Sequence, residues 1–510
     1  MSRIKNVTRN TIFSFMNNFL SNLINFINRT LFIYLLSAEY LGLNGLFINV
    51  LGVLSLADLG ISSAITFSLY KPIAMHDNKK IGQIVNFLGK AYKIIGFVIL
   101  LVGLLLIPFL KYFVNFDSKI NINYYVIYLL FLINSVCTYL FFSYKNTVIY
   151  AAQKAYLTAK YEMICTIIIL VLQVIVLIFT KNYYIYLTVP IILNILRNYK
   201  ISKVAEKLYP DIKKSGKEKL TEKDRKDLFK NIYSLSMIKI SGVIYSSTDN
   251  LIISSMIGTL FVGFYSNYLM IINIVKQFVA ILFNSMTASV GDLNVSETAE
   301  YKYCIFKKLN LFNGLVYGYC FTCLLHLSNP FITFWIGKKY LFGERTVLLI
   351  CLIFLIPGLN NIINIYKDGC GLFWETRYRT LATALINIIS SIILTKYIGI
   401  DGVFLGTIIA YLTTIYIIDP YTVFSKVFKK NVYVYYKQLI LMILFIVFNN
   451  FLIRVVSFFF NISSLYSIII YLIIMSIIYA LNCFIFFYRT KEFKELLNTI
   501  SEIISMLKNV

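Results

Sequence analysis

Charge is scarce in this 510-residue chain and histidine almost missing: 14% of residues are charged and only two are His. His76 and His326 lie far apart in the sequence, and no HxxxH or Cys/His cluster is available for zinc. Eight cysteines are present, but most fall inside apolar runs and not in loops, which argues against a disulfide framework. Cys320 and Cys323 form a CxxC within a helix and without a βαβ context, the setting of two small apolar residues. No stretch is long and polar enough for a separate soluble domain; the one hydrophilic insert is 197–230. No A-x-A-like cleavage site follows the first apolar stretch, which is also too long for a cleavable signal. Asp368-Gly369-Cys370-Gly371 lacks the Lys-Ser/Thr of a phosphate-binding loop, so direct ATP coupling is not expected.

What fills the chain is hydrocarbon. Apolar residues make up 59%, and the mean hydropathy is +0.76. Runs of roughly 20 apolar residues, each able to cross ~30 Å of hydrocarbon, recur from end to end. They predict an all-α polytopic membrane protein with about fourteen transmembrane helices. The spans are 11–36, 45–70, 91–110, 122–142, 163–179 and 183–199, then 232–256, 262–288, 305–327, 346–366, 378–395 and 402–423, and a last pair at 433–453 and 464–488.

Positive charge tests the count. The formal charge of +25 sits almost entirely in short loops, the pattern of topology-setting charge and not of a nucleic-acid surface. With the N-terminus placed in the cytoplasm, only eight of the 48 Lys and Arg residues fall in outside segments. Both termini then read as cytoplasmic. Three basic residues lie inside spans: Arg29, Lys239 and Lys276. Asp58 and Asp249 are the clearest acids at such depth. Charges there are costly, so they face either a structural partner or a water-filled cavity.

The chain also repeats. Leu41-Gly42-Leu43-Asn44-Gly45 is echoed by Val262-Gly263-Phe264-Tyr265-Ser266, and Gln153-Lys154-Ala155-Tyr156 by Phe373-Trp374-Glu375-Thr376, both at an offset of about 220 residues. This predicts a six-helix bundle over 1–199, a basic cytoplasmic linker at 200–230, a second six-helix bundle over 231–425, and two additional helices with a tail at 426–510. Polar residues at helical spacing mark one face in each half. Asn18, Asn22, Asn25 and Arg29 share a face of the first helix; Lys239, Gly242, Ser246 and Asp249 share one on the seventh. Ser55, Asp58 and Ser62 line the second helix, and Ser266, Asn273, Gln277 and Asn284 the eighth. Such stripes either glue helices together or line a hydrated passage; four of them, each on a helix that carries a charge, favour the passage.

Several stretches resemble the polysaccharide flippases, O-antigen (Wzx-type) and capsular, of the MATE-like (MOP) exporter superfamily. They are Glu39-Tyr40-Leu41-Gly42-Leu43-Asn44-Gly45, Leu56-Ala57-Asp58-Leu59-Gly60, Asp249-Asn250-Leu251-Ile252-Ile253, Gly263-Phe264-Tyr265-Ser266-Asn267-Tyr268, Gly371-Leu372-Phe373-Trp374-Glu375 and Gly399-Ile400-Asp401-Gly402-Val403. The resemblance covers roughly residues 1–425. It implies a transporter, not an enzyme, that flips an undecaprenyl-pyrophosphate-linked oligosaccharide from the cytoplasmic to the outer leaflet of the bacterial cytoplasmic membrane. It implies no bound cofactor, coupling to a proton or sodium gradient, and contact with membrane lipids and with glycosyltransferases or a polysaccharide polymerase. Combined with the stripes, it assigns substrate binding to Arg29, Lys276, Lys239, Asn25, Asn22, Asn273 and Gln277. Asp58 and Asp249 become internal counter-charges or the coupling-ion site. Related readings on the same fold are a peptidoglycan-precursor flippase and a cation-coupled drug exporter.

Overall fold

The computed structural model describes residues 20, 22–36, 38–54, 61–113, 123–152, 154, 156–214, 220–222, 225–226, 228–229, 248–284, 290, 293, 297–372, 375–458, 460 and 464–498. Among them the regular structure is helical throughout. In lipid no water can satisfy a free peptide group, and helices close their hydrogen bonds internally. Among the described residues nine helices are long and apolar enough to cross a membrane, up to ten if the bent pair Tyr124–Leu140 and Ser143–Ala151 is one span. The chain is a multi-pass membrane protein. Of the fourteen expected spans, most of 232–256 and the middle of 45–70 lie outside the described residues.

The chain forms two compact units, Met1–Gly263 and Phe264–Val510. The first contains α1 (22–35), α2 (Ala38–Leu54), α3 (Ile61–Ala74), α4 (Asn78–Leu106), α5 (Tyr124–Leu140), α6 (Asn146–Ala151), α7 (Tyr156–Thr180) and α8 (Tyr183–Leu208). Asparagines start two of these helices. Asn123 accepts from the backbone N–H of Tyr125 and Val126, and Asn182 from those of Tyr184 and Ile185. Glycines on α4 let α5 approach: a Cβ at Gly103 would lie 2.4 Å from Leu132, and the Tyr128 hydroxyl donates to the Gly103 carbonyl at 2.9 Å. The chain after α8 does not run free. Asn86 of α4 donates to the Ile212 carbonyl at 2.9 Å, and Phe229 meets Phe87 edge-on.

α9 (Thr259–Asn284) carries the chain into the second unit, which continues with α10 (Ala299–Ile336), α11 (Glu344–Leu359), α12 (Asn361–Gly369), α13 (Arg379–Ile398), α14 (Ile400–Val423), α15 (Tyr433–Ser457) and α16 (Leu465–Phe487). Its core is aromatic: Phe306, Tyr366, Phe424, Phe428 and Tyr435 pack together at the junction of α10, α12, α14 and α15. α13 and α14 touch through small and hydroxyl residues. A Cβ at Gly406 would lie 2.3 Å from Ser391 Oγ, and Asn387 donates to Thr407 at 2.7 Å.

The internal repeat is visible element by element. α2 and α9 begin at 38 and 259, α5 and α11 at 124 and 344, α7 and α13 at 156 and 379. Each of α5 and α11 is followed, after a short break, by a shorter helix, α6 or α12. The architecture is therefore two related helical bundles with α15 and α16 appended.

One boundary is corrected. The spans expected from sequence leave 328–345 between helices, yet α10 runs unbroken to Ile336 through Pro330. Asn329, accepting from the Tyr268 hydroxyl at 2.6 Å and donating to the Phe342 carbonyl at 3.2 Å, finds tertiary partners that let a loop-like Ser-Asn-Pro sequence stay helical.

Candidate functional site

Of the four predicted polar faces, those of α1 in the first unit and α9 in the second fall largely within the described residues, whereas Ser55, Asp58, Lys239, Gly242 and Ser246 lie outside them. On α9, Asn273, Lys276 and Gln277 are all exposed, within a helix apolar enough to cross a membrane. At 3.6 residues per turn the three share one side, while the exposed Phe278 and Leu282 project from roughly the opposite one. Val279 and Phe283 are buried between the two. Such a helix has two open faces of different chemistry. The phenyl and isobutyl groups suit lipid; a primary ammonium with two amides suits water. Lys276 lies about 12 Å from the C-terminal end of α9 at 1.5 Å per residue. Its Cα–Cβ bond tilts toward the helix N-terminus, away from that nearer end.

α1 shows the same division. Leu23, Ile27 and Tyr34 are exposed along one side, and Asn25 is exposed on another, with Asn22 and Arg29 partly buried beside it. Arg29 sits one turn before Phe32, which packs against Tyr183 and Tyr186 with ring centroids 5.4 Å away in each case. It is near enough to Tyr186 for the two to interact electrostatically. An inward hydrogen bond of α1 comes from Asn28, which sequence reasoning passed over because it falls off the stripe. Asn28 donates to Gln173 of α7 at 2.8 Å, and Gln173 donates to the Tyr186 carbonyl at 3.3 Å. Asp58 and Lys239 lie outside the described residues. Asp249 is half-buried on a helical turn beside the buried Asn250.

Each unit also holds a buried charge cluster that the sequence reading assigned to loops or helix ends. In the first, Lys145, at the break between α5 and α6, reaches Glu206 near the end of α8 at 2.5 Å and Ser202 at 3.0 Å. In the second, Arg379, the first residue of α13, pairs with Asp419 near the end of α14, and Asp419 is wholly inaccessible to solvent. Lys367 of α12 is buried close enough to interact with both. The clusters are analogous: a cation carried on or beside the short helix after the break lies by an acid in the last turns of the sixth span. The available signal was the acid itself, Glu206 among basic residues and Asp419 within an apolar run.

No group of three or more His, Cys, Asp or Glu among the described residues could hold a metal, and all eight cysteines are free thiols. No protein-family profile and no curated protein sequence matches the chain. Solved structures do. Lipid II flippase MurJ, in an inward closed conformation, aligns with a TM-score of 0.64 at 18% identity, covering 94% of this chain and 99% of its own. A multidrug resistance MATE-family transporter, inward-facing, aligns at 0.58 and 13% identity over 77% of this chain and 91% of its own. A transporter from Pyrococcus furiosus, its binding pocket described as reversed in polarity, aligns at 0.52 and 14% identity over 80% and 92%. The chain thus has the fold of the MOP-superfamily transporters.

Proposed function

We propose that this protein flips a lipid-linked oligosaccharide, on an undecaprenyl-pyrophosphate carrier, from the cytoplasmic to the outer leaflet of a bacterial cytoplasmic membrane by alternating access, during cell-surface polysaccharide biosynthesis. The observation that carries the reading is the exposed Asn273–Lys276–Gln277 face of α9, set apart from the lipid-type face of the same helix. An anionic diphosphate entering a low-dielectric passage needs cations to meet it, and sugar hydroxyls need amides. Lys276 and Arg29 take the diphosphate, with Lys239 assisting; Asn22, Asn25, Asn273 and Gln277 take hydroxyls. Asp58 and Asp249 hold these cations when no substrate is bound, or bind the proton or sodium ion whose gradient drives the cycle. Ligand then replaces an internal counter-charge, and the cost of a buried charge is shared between the two states. Both termini lie in the cytoplasm, within reach of the glycosyltransferases or polymerase that make and use the glycan.

Coverage favours a lipid-linked substrate over a drug. The likeness to the lipid II flippase spans 94% of this chain, and that to the MATE transporters 77 to 82% where the TM-score is 0.50 or above. A lysine on the polar face also disfavours a cationic drug. The reading is tested by surface-glycan export in cells carrying Arg29→Ala or Lys276→Ala at matched protein levels. Export falls at least tenfold if each cation supplies a charge-assisted contact of about 1.5–3 kcal/mol; undiminished export by both variants removes the assignment.

A further inference from the structure

A cavity of about 570 Å3 lies in the second unit where α10, α11, α15 and α16 come together, and it shares no residue with the polar face of α9. Its rim carries Arg454, in the last turn of α15, and Glu344 and Arg345, the first residues of α11. Arg454 pairs with Glu344 at 2.8 Å, while the Nε of Arg345 lies 3.3 Å from Asp401, behind the rim. The side chains of Arg454 and Arg345 remain 53% and 70% exposed, so each still offers donors to a ligand. His326 and Asn450 line the wall beside one another, and their buried His326 Nε2 and Asn450 Oδ1 make no well-formed hydrogen bond. Leaving such atoms unmatched is costly, and a cavity of this size has room for the group that would match them.

The donors and position of the cavity define that group. Two cations and one acid line it, and Asp401 offsets Arg345, so the pull on a phosphodiester comes from the exposed arginine donors and not from a net charge. A guanidinium fork fits phosphate oxygens. The rim stands at the ends of two spans, at headgroup depth, and apolar side chains such as Leu348 continue the wall. We propose that this cavity holds the headgroup of a membrane phospholipid, with Arg345 and Arg454 on the phosphodiester and His326 and Asn450 on a headgroup hydroxyl.

The test uses the full-length protein in detergent and native mass spectrometry. Phosphatidylglycerol is compared with diacylglycerol, which lacks the phosphate, and with free glycerol phosphate, which lacks the chains. Expected is one tightly retained phosphatidylglycerol per chain, not displaced by either competitor at equal concentration. Retention drops at least tenfold in the double variant Arg345→Gln/Arg454→Gln and equally in Ser457→Trp, which fills the mouth without touching a charge. Thermal unfolding identifies any variant that fails to fold, and the other then decides. Wild-type retention in the folded variants overturns the proposal; displacement by glycerol phosphate overturns the lipid as its source.

Discussion

Asp419 offers the sharpest test of how the second unit holds together. Its carboxylate is fully buried, pairs with Arg379 and lies within the field of Lys367, whose side chain is also buried. Asp419→Ala therefore leaves two cations in a low-dielectric site without their buried acid. Breaking a buried pair from one side costs about 3–5 kcal/mol. For a unit of this size each kcal/mol moves the midpoint by about 2–4 °C, so the variant should melt about 6–20 °C lower. The assay is thermal unfolding of purified protein in detergent, followed by size exclusion. Arg379→Met/Asp419→Leu, which removes both partners, should recover at least half of the loss, because well-packed apolar residues replace such a pair at little cost. Glu344→Gln is the control: it breaks the exposed pair with Arg454 and should cost no more than about 1 kcal/mol. An Asp419→Ala midpoint within 2 °C of wild type, roughly 1 kcal/mol or less, would refute the reasoning; so would a double variant as unstable as the single one.

Three further outcomes follow from particular contacts. Cysteines placed singly at Asn273 and Leu282 of α9 should differ by an order of magnitude or more in labelling by a water-soluble maleimide in intact membranes, Asn273→Cys reacting and Leu282→Cys not; equal labelling would mean that the two faces see the same medium. Gly42→Val should abolish accumulation of folded protein, since a Cβ there lies 2.1 Å from the Thr259 carbonyl oxygen and backbone cannot yield cheaply, a cost of about 3 kcal/mol or more. Gly45→Ala, facing only the end of Val262, should be tolerated. At the tail, burial raises the Glu492 carboxyl, but the hydrogen bond and charge of Lys307, 2.7 Å away, outweigh it and hold Glu492 below its usual value. Stability from a depressed acid is present above its unfolded pKa and lost as pH falls through the folded one. A spin label at Lys494 should therefore be immobile at pH 7 and released only as pH falls below the ordinary glutamate range, and mobile throughout in Glu492→Gln.

Spans were legible because an apolar run of twenty residues has few other fates, and the repeat because glycine-bearing echoes recur at one offset. Start and stop points were less so. Residues 328–330 read as loop, and only Tyr268 and Phe342, distant in sequence, supply the partners that keep Asn329 in a helix. The polar face of α9 was legible from spacing alone, since Lys276 and its amides recur on one side. Asn28 was not, because its partner Gln173 belongs to another helix. Asp419 escaped for a local reason: beside Pro420, near the end of an apolar run, it looks like a boundary, and its burial depends on Arg379 forty residues earlier. Sequence periodicity reports which side of a helix a residue occupies; it does not report what stands opposite.

The central claim is transport of a diphosphate-linked glycan past Lys276 and Arg29. Its most direct measurement is translocation of a fluorescent undecaprenyl-pyrophosphate oligosaccharide in proteoliposomes, with an impermeant quencher added outside to count the molecules in the outer leaflet. Time-dependent exchange between leaflets is expected with the wild-type protein, and at least tenfold slower exchange with Lys276→Ala or Arg29→Ala, in equally folded samples. Exchange no faster than in protein-free liposomes, under an imposed proton or sodium gradient, would contradict it.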